Sequence, residues 1–203
     1  MISIIDYGLG NILAFSNMYN RLNIPISVAK TSDDLKKSKK LILPGVGSFD
    51  HAILLLEKSG MKEAINEMVL EKQIPILGIC VGMQILADSS EEGNLPGLGW
   101  ISGSVKKFQF KEKQGAYLPH MGWNDVTSIE AGGLFKEMEK DSRFYFLHSY
   151  YFECRNHENT LAVTEYYGEY ASAVRKKNIY GVQFHPEKSH HYGSQLLKNF
   201  AEL

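Results

Sequence analysis

The sequence has little cysteine, no excess of charge and no long apolar run. Its 203 residues include two cysteines, Cys80 and Cys154, which excludes a disulfide-stapled scaffold and favours a reducing, cytoplasmic location. Lys and Arg number 22 against 23 Asp and Glu, a balance untypical of proteins that bind nucleic acid or anionic membranes. No segment approaches the roughly 18 apolar residues of a membrane-spanning helix. The N-terminus also lacks the basic start of a signal peptide.

The distribution of apolar residues predicts an α/β fold. Short apolar runs at 2–5, 26–29, 41–43 and 74–79 alternate with segments of helical spacing at 12–22 and about 50–71. Strands that are apolar on both faces and alternate with helices indicate a mostly parallel central sheet flanked by helices. Predicted strands at 144–152, 160–165, 171–175 and 180–184 add an antiparallel portion, and a helix over 193–201 follows. We expect residues 1–203 to form one domain.

Cys80 lies in the pattern Gly78-Ile79-Cys80-Val81-Gly82, after an apolar run and before a helical segment. This G-x-C-x-G is the cysteine form of the nucleophile elbow, a sharp strand-to-helix turn. The N-terminus of a helix favours a thiolate, and its N–H groups can bind an oxyanion. The alternative is a buried structural cysteine, which stays open for Cys80 and is favoured for Cys154, whose neighbours form no such pattern.

His185 and Glu187 follow the last predicted strand, in His185-Pro186-Glu187. Pro186 restricts the preceding residue to an extended conformation, in which residues two apart point to the same side. The Glu187 carboxylate can therefore orient the His185 ring, as the acid does in a catalytic triad. A surface histidine beside a surface glutamate is the alternative. His190 and His191 suggest a metal site, but adjacent residues do not share one helix face, so no metal is expected.

Glycines mark two turns in the first half. Pro44-Gly45-Val46-Gly47 closes an apolar run, where a turn can present a backbone N–H to an oxyanion or serve only as a tight connection. Gly8-Leu9-Gly10-Asn11 begins like a dinucleotide-binding fingerprint, but Leu13 stands at the place of the third glycine, which excludes that site. The segment 119–124 reads as a loop with an exposed tryptophan, either a partner anchor or a residue packed on the domain.

Together these motifs resemble the class I, triad-type glutamine amidotransferases, over essentially the whole chain. Three carry the resemblance, in the family's order: Pro44-Gly45-Val46-Gly47, Gly78-Ile79-Cys80-Val81-Gly82-Met83-Gln84 and Gly181-Val182-Gln183-Phe184-His185-Pro186-Glu187. Within the family, the chain is similar to the glutaminase subunits of imidazole glycerol phosphate synthase, as Asp6–Asn11, Met83 and Pro119–Asn124 indicate. Val81 stands where leucine is more usual.

The resemblance implies a glutaminase that needs no cofactor. Cys80 would attack the side-chain amide of glutamine, His185 would pass the thiol proton to the leaving ammonia, and Glu187 would orient His185. Water would then hydrolyse the thioester to glutamate. The residues implied in substrate and oxyanion binding are Gly45, Val46, Gly47, Val81, Gln84, His148, Ser149 and Tyr150.

A glutaminase that occupies the whole sequence requires a second chain to use the ammonia. The resemblance implies a (β/α)₈ cyclase subunit in a heterodimer that makes imidazole glycerol phosphate and AICAR in histidine biosynthesis. The interface candidates are His120, Met121, Trp123, Asn124 and Lys188. One alternative is a paralogous subunit that supplies ammonia for amidation of a surface-polysaccharide sugar, suggested by residues 150–154 and 189–193. Another is a non-catalytic binding module on the same fold.

Overall fold

The computed structural model describes residues 1–110 and 117–203 of the chain. In the first half, strands alternate with helices, as the apolar pattern predicts. The elements are β1 (Ile2–Ile5), α1 (Ile12–Arg21), β2 (Ile26–Ala29), α2 (Ser32–Leu35), β3 (Lys40–Gly45), α3 (Phe49–Lys58), α4 (Lys62–Asn66, continued by a π-helical turn over Glu67–Glu71), β4 (Ile76–Cys80) and α5 (Val81–Gln84).

The second half is mostly strands. These are β5 (Ser89–Ser90), β6 (Gly103–Lys107), β7 (His120–Ser128), β8 (Asp141–His148), β9 (Tyr150–Cys154), β10 (Thr160–Glu165), β11 (Glu169–Lys176) and β12 (Ile179–Val182). Short 3₁₀ turns lie at Gly133–Phe135, His157–Asn159 and Pro186–Lys188, and α6 (His190–Glu202) follows the last of them. None of the helices in residues 1–110 and 117–203 has the length and apolar character needed to cross a bilayer.

One mixed sheet runs through the described residues. Its main path has the order β2-β1-β3-β4-β12-β11-β10-β7-β8, while β6 joins β5 to β9, and β9 pairs with β11. The five strands from β2 to β12 are parallel neighbours, and the remaining pairs of the main path are antiparallel. The predicted fold class, a mostly parallel central sheet flanked by helices with an added antiparallel portion, is confirmed.

Burial explains why the two halves have different sequence patterns. Every residue of β1, β4 and β12 is buried, because helices cover both faces of the parallel sheet. In β8, by contrast, buried and accessible residues alternate, as expected for a strand with one face toward solvent. A continuous apolar run thus marks a central parallel strand, and alternation marks the antiparallel extension.

Two expectations for the second half are wrong in detail. The strand predicted over 144–152 is two strands, β8 and β9, which separate at Ser149. The segment 119–124 is not a loop: from His120 onward it forms β7, which pairs with β8 from His120 opposite His148 to Thr127 opposite Asp141. The hydrogen bonds that make β7 a strand come from residues about 20 positions away, and the local pattern does not reveal them.

Candidate active site

Cys80 lies at the sharp turn between β4 and α5. Its backbone has φ 56° and ψ −114°, a left-handed conformation that is costly for a residue with a side chain. Such strain is typical of nucleophile elbows, where it presents the side chain at the end of the strand. The residue is 4% exposed and lines a cavity above the sheet edge, so the predicted elbow geometry is present.

The glycines around Cys80 are required by close backbone packing. A Cβ atom on Gly82 would lie 1.9 Å from the Leu43 carbonyl oxygen, and one on Gly78 would lie 2.5 Å from the Gly82 oxygen. A Cβ atom on Gly45 would lie 2.4 Å from the Gly82 nitrogen. The first turn of α5 is therefore pressed against the ends of β3 and β4, which explains the G-x-C-x-G pattern.

His185 and Glu187 lie just beyond the C-terminal end of β12, the strand next to β4. The His185 Nδ1 and Glu187 Oε1 atoms are 2.8 Å apart, and the two side chains are only 5% and 3% exposed. The predicted contact between them is confirmed. Ser189 holds the segment in place, because its hydroxyl donates to the His185 carbonyl oxygen (2.6 Å) and accepts from the Tyr145 N–H (3.0 Å).

The electrostatics of this pair favour a charged imidazole. Burial alone lowers the pKa of His185, but hydrogen bonds and charge interactions with Cys80 and Glu187 outweigh it and raise the pKa to about 10. His185 is therefore protonated near neutral pH. In cysteine–histidine pairs, a protonated imidazole favours the thiolate, which is the nucleophilic form of cysteine.

The cavity next to Cys80 has a volume of about 330 Å³. It is lined by Cys80 and His185 and by residues from both halves of the chain: Val46, Gly47, Val81, Gln84, Glu92, Pro119, Leu147, His148, Ser149, Tyr150 and Lys188. The structure thus brings the predicted substrate-binding residues together, except Gly45, which packs under α5. A second cavity of about 420 Å³, lined in part by Phe108, Tyr151 and Tyr170, is lined by none of Cys80, His185 and Glu187.

Sequence reasoning missed two polar residues of this site. Glu92 lines the cavity, and its carboxylate accepts the Phe49 N–H at 2.8 Å. Gln183 is fully buried, and its Nε2 donates to Cys80 Sγ at 3.8 Å. Glu92 belongs to no motif and has no sequence signal, whereas a glutamine inside a buried apolar strand end could have been singled out as unusual.

The predicted interface residues separate into exposed and buried ones. Met121 is 65% and Trp123 42% exposed on β7, and Lys188 is exposed beside them, with its Nζ 5.5 Å from the centre of the Tyr145 ring. Asn124 is half-buried. His120 is 3% exposed and points into the protein, so its proposed contact with a partner is wrong. Strand alternation causes this, because His120 faces inward where Met121 faces outward.

The remaining candidates from the sequence, His190, His191 and Cys154, pack against neighbouring side chains or lie buried in a strand. The Trp123 ring stacks on the His190 ring with centroids 5.1 Å apart, while His191 packs on Tyr192. Cys154 is buried in β9, and burial raises the pKa of its thiol, which keeps it in the unreactive protonated form. The two cysteines are therefore inequivalent, as the sequence predicts.

The elbow at Cys80, the contacts of His185 with Cys80 and Glu187, and the cavity beside them have the arrangement of a cysteine–histidine–acid site. Comparison with known proteins gives the class of the protein. The family model described as glutamine amidotransferase class-I matches residues 3–203, and the chain belongs to this family. A crystal structure of a glutamine amidotransferase shares its fold, with a TM-score of 0.73 and 20% identity over 99% of this chain and 97% of the other.

Within that family, the chain is similar to curated proteins that share one name. It is 56% identical over 204 residues to the imidazole glycerol phosphate synthase subunit HisH of Bdellovibrio bacteriovorus, with all of both chains covered. It is 52% identical over 204 residues to the subunit of the same name from Leptospira interrogans, again over 100% of each.

Proposed function

We propose that the chain hydrolyses glutamine and supplies the ammonia to a cyclase subunit of imidazole glycerol phosphate synthase, in histidine biosynthesis. The observation that carries the proposal is the His185 ring, which interacts with both Cys80 and Glu187 at the wall of a cavity large enough for an amino acid. The names of the relatives support this pathway and do not favour the surface-polysaccharide alternative. The geometry of the triad argues against a non-catalytic module.

The proposed reaction proceeds through a thioester. The Cys80 thiolate attacks the side-chain carbonyl carbon of glutamine, and the resulting oxyanion accepts hydrogen bonds from the Val81 N–H and from an N–H of the Gly45–Gly47 turn. Protonated His185 gives its proton to the departing nitrogen, and ammonia leaves as the C–N bond breaks. His185 then takes a proton from water, the hydroxide adds to the thioester, and glutamate leaves as the Cys80 thiolate re-forms.

The substrate's amino-acid head requires polar groups on the opposite side of the cavity from Cys80. Glu92 offers a carboxylate for the α-ammonium group, and its bond to the Phe49 N–H holds it in position. Gln84 and the segment 148–150 line the same cavity and are proposed to hold the rest of the head group. A site with these groups suits a small zwitterion better than a net-charged ligand.

The proposed partner is a (β/α)₈ cyclase subunit that forms a heterodimer and covers the cavity. Free ammonia is largely protonated in water and is then no longer a nucleophile, so the acceptor site must lie close to the glutaminase site. Leu147 and Lys188 line the cavity, and the exposed apolar side chains Met121 and Trp123 lie on β7, which pairs with the strand of Leu147. We propose a cytoplasmic location, where the Cys80 thiol stays reduced.

The test is to measure glutamate release and cyclase product with and without the purified cyclase subunit. We expect the partner to raise kcat/KM for glutamine, because docking sets the Gly45–Gly47 turn so that its N–H faces the oxyanion. Equal kcat/KM with and without the partner would contradict the role of the turn. Glutamate release without formation of the imidazole product would contradict the proposed pathway, and no glutamate release in the complex would contradict the proposed reaction.

A further inference from the structure

Gln183 contacts the Cys80 sulfur but takes no part in the proposed steps of the reaction. It follows β12 directly and is fully buried. Its Nε2 donates to Cys80 Sγ at 3.8 Å, and its Oε1 accepts from Gln84 Nε2 at 3.0 Å. The nitrogen and the oxygen of this buried amide are thus both hydrogen-bonded, and the nitrogen bonds to the sulfur of the proposed nucleophile. This arrangement suggests that Gln183 has a function at the site.

The orientation of the Gln183 amide is set by the groups behind it. The Tyr150 carbonyl oxygen, which can only accept, receives hydrogen bonds from Gln84 Nε2 at 3.1 Å and from His148 Nδ1 at 2.7 Å. The amide nitrogen of Gln84 must therefore face this carbonyl, and the same nitrogen donates to Gln183. It follows that Gln183 turns its oxygen toward Gln84 and its NH₂ group toward the sulfur.

Two neutral histidines extend this chain of donors away from the site. Burial lowers the pKa of His148 to about 3 and that of His120 to about 4, so each ring carries one N–H near neutral pH. His148 uses its N–H on the Tyr150 carbonyl, so its Nε2 is an acceptor, with His120 Nδ1 at 3.1 Å and the Tyr170 hydroxyl at 3.2 Å as neighbouring groups. The Tyr170 hydroxyl also lies 3.2 Å from His120 Nδ1. Two donors of fixed identity thus hold the Tyr150 carbonyl, and the amides of Gln84 and Gln183 keep the orientation that this carbonyl sets.

We propose that Gln183 is a positioning residue for the glutaminase reaction, whose N–H holds the Cys80 sulfur toward the cavity and stabilises its thiolate. The inference rests on the proposed function and deepens it. A donor to the sulfur favours the charged nucleophile and fixes its direction of attack, but it does not contact glutamine. Loss of Gln183 should therefore lower kcat and leave KM nearly unchanged.

Gln183→Met and Gln183→Glu test the proposal, because both keep the size of the side chain. Met removes the donor, and Glu replaces it with an acidic oxygen. Ser172→Ala is the matched control: Ser172 is fully buried on β11, its carbonyl accepts the Gln183 backbone N–H at 2.9 Å, and its hydroxyl has no hydrogen-bond partner among the described residues. The control thus removes a neighbouring buried polar group that does not contact the sulfur.

Two readouts are needed, both in the complex with the cyclase subunit. The first is the rate of iodoacetamide alkylation of Cys80 from pH 5 to 10, followed by mass spectrometry of its peptide. The second is kcat and KM for glutamine. For Gln183→Met we expect the alkylation midpoint to rise by about one pH unit and kcat to fall roughly 10-fold, while KM stays within about threefold. A change of this size is expected when one hydrogen bond to a charged group is lost. Gln183→Glu should shift the midpoint further, and Ser172→Ala should match the unmodified chain.

An unchanged midpoint and kcat in either folded Gln183 variant would overturn the proposal, and so would equal effects in Ser172→Ala. If Gln183→Met does not fold, Gln183→Glu decides alone. The other titratable groups near the sulfur, His185, Glu187 and Tyr7, are the same in all variants. Alkylation does not depend on glutamine, so it separates the two proposals. A shifted midpoint in a complex that hydrolyses no glutamine would refute the proposed function, while the hydrogen bond from Gln183 to the Cys80 sulfur would still stand.

Discussion

Replacement of Glu187 by glutamine removes one negative charge from the site and leaves its shape unchanged. In the folded protein, burial opposes the charge on His185, while Cys80 and Glu187 together raise its pKa from 6.5 to about 10. That rise corresponds to about 5 kcal/mol in favour of the protonated ring. Glu187→Gln removes one charge-assisted hydrogen bond from this balance, a loss of about 2 kcal/mol. The expected result is a roughly 30-fold lower kcat/KM.

The same change predicts a shift in the pH profile. Without the carboxylate the imidazolium is less stable, so the pKa of His185 falls and the alkaline limb of kcat/KM moves to lower pH. The assay is glutamate release by the complex between pH 6 and 10.5, with Glu63→Gln, on the exposed side of α4, as the control. A rate within threefold of the unmodified chain, together with an unmoved alkaline limb, would refute the assigned role of Glu187.

Three further predictions follow from packing, exposure and burial. Gly82→Ala should lower the free energy of unfolding by about 3 kcal/mol, since its Cβ would lie 1.9 Å from the Leu43 oxygen. Chemical denaturation measures this loss, and it should show a smaller one, about 1 kcal/mol, for the control Gly60→Ala, where only a positive φ opposes the side chain. Trp123→Ala should weaken binding of the cyclase subunit at least 10-fold in calorimetry, whereas Ile129→Ala, beyond the far end of β7, should not. The fold should lose stability as the pH falls from 6.5 toward 4, because the unfolded chain protonates His120 and His148 before the folded one does. Between pH 7 and pH 5, the melting temperature of His120→Gln should fall less than that of the unmodified chain, and an equal fall would contradict the role of this histidine.

The sequence predicts the parallel part of the fold well because each signal there is local. A strand buried on both faces is a continuous apolar run, and the elbow at Cys80 is encoded in five consecutive residues. The contact between His185 and Glu187 is also local, since two residues of an extended segment share one side. These features need no knowledge of distant pairing.

The parts that sequence reasoning missed depend on contacts between distant segments. β7 is a strand because β8 and β10 pair with it, and the pairing with β8 turns His120 inward to meet His148. Glu92 reaches the cavity through a bond to the start of α3, more than 40 positions earlier in the chain. The tertiary structure thus determines which polar residues surround Cys80, His185 and Glu187, while the short motifs encode these three residues themselves.

The central claim is that Cys80 releases ammonia which a partner subunit consumes. The most direct measurement compares synthesis of the cyclase product from glutamine and from ammonium salts, for the unmodified complex and for one with Cys80→Ala. The expected result is that Cys80→Ala abolishes synthesis from glutamine and leaves synthesis from ammonium intact. Product formed from glutamine by the Cys80→Ala complex, at a rate near that of the unmodified complex, would contradict the claim.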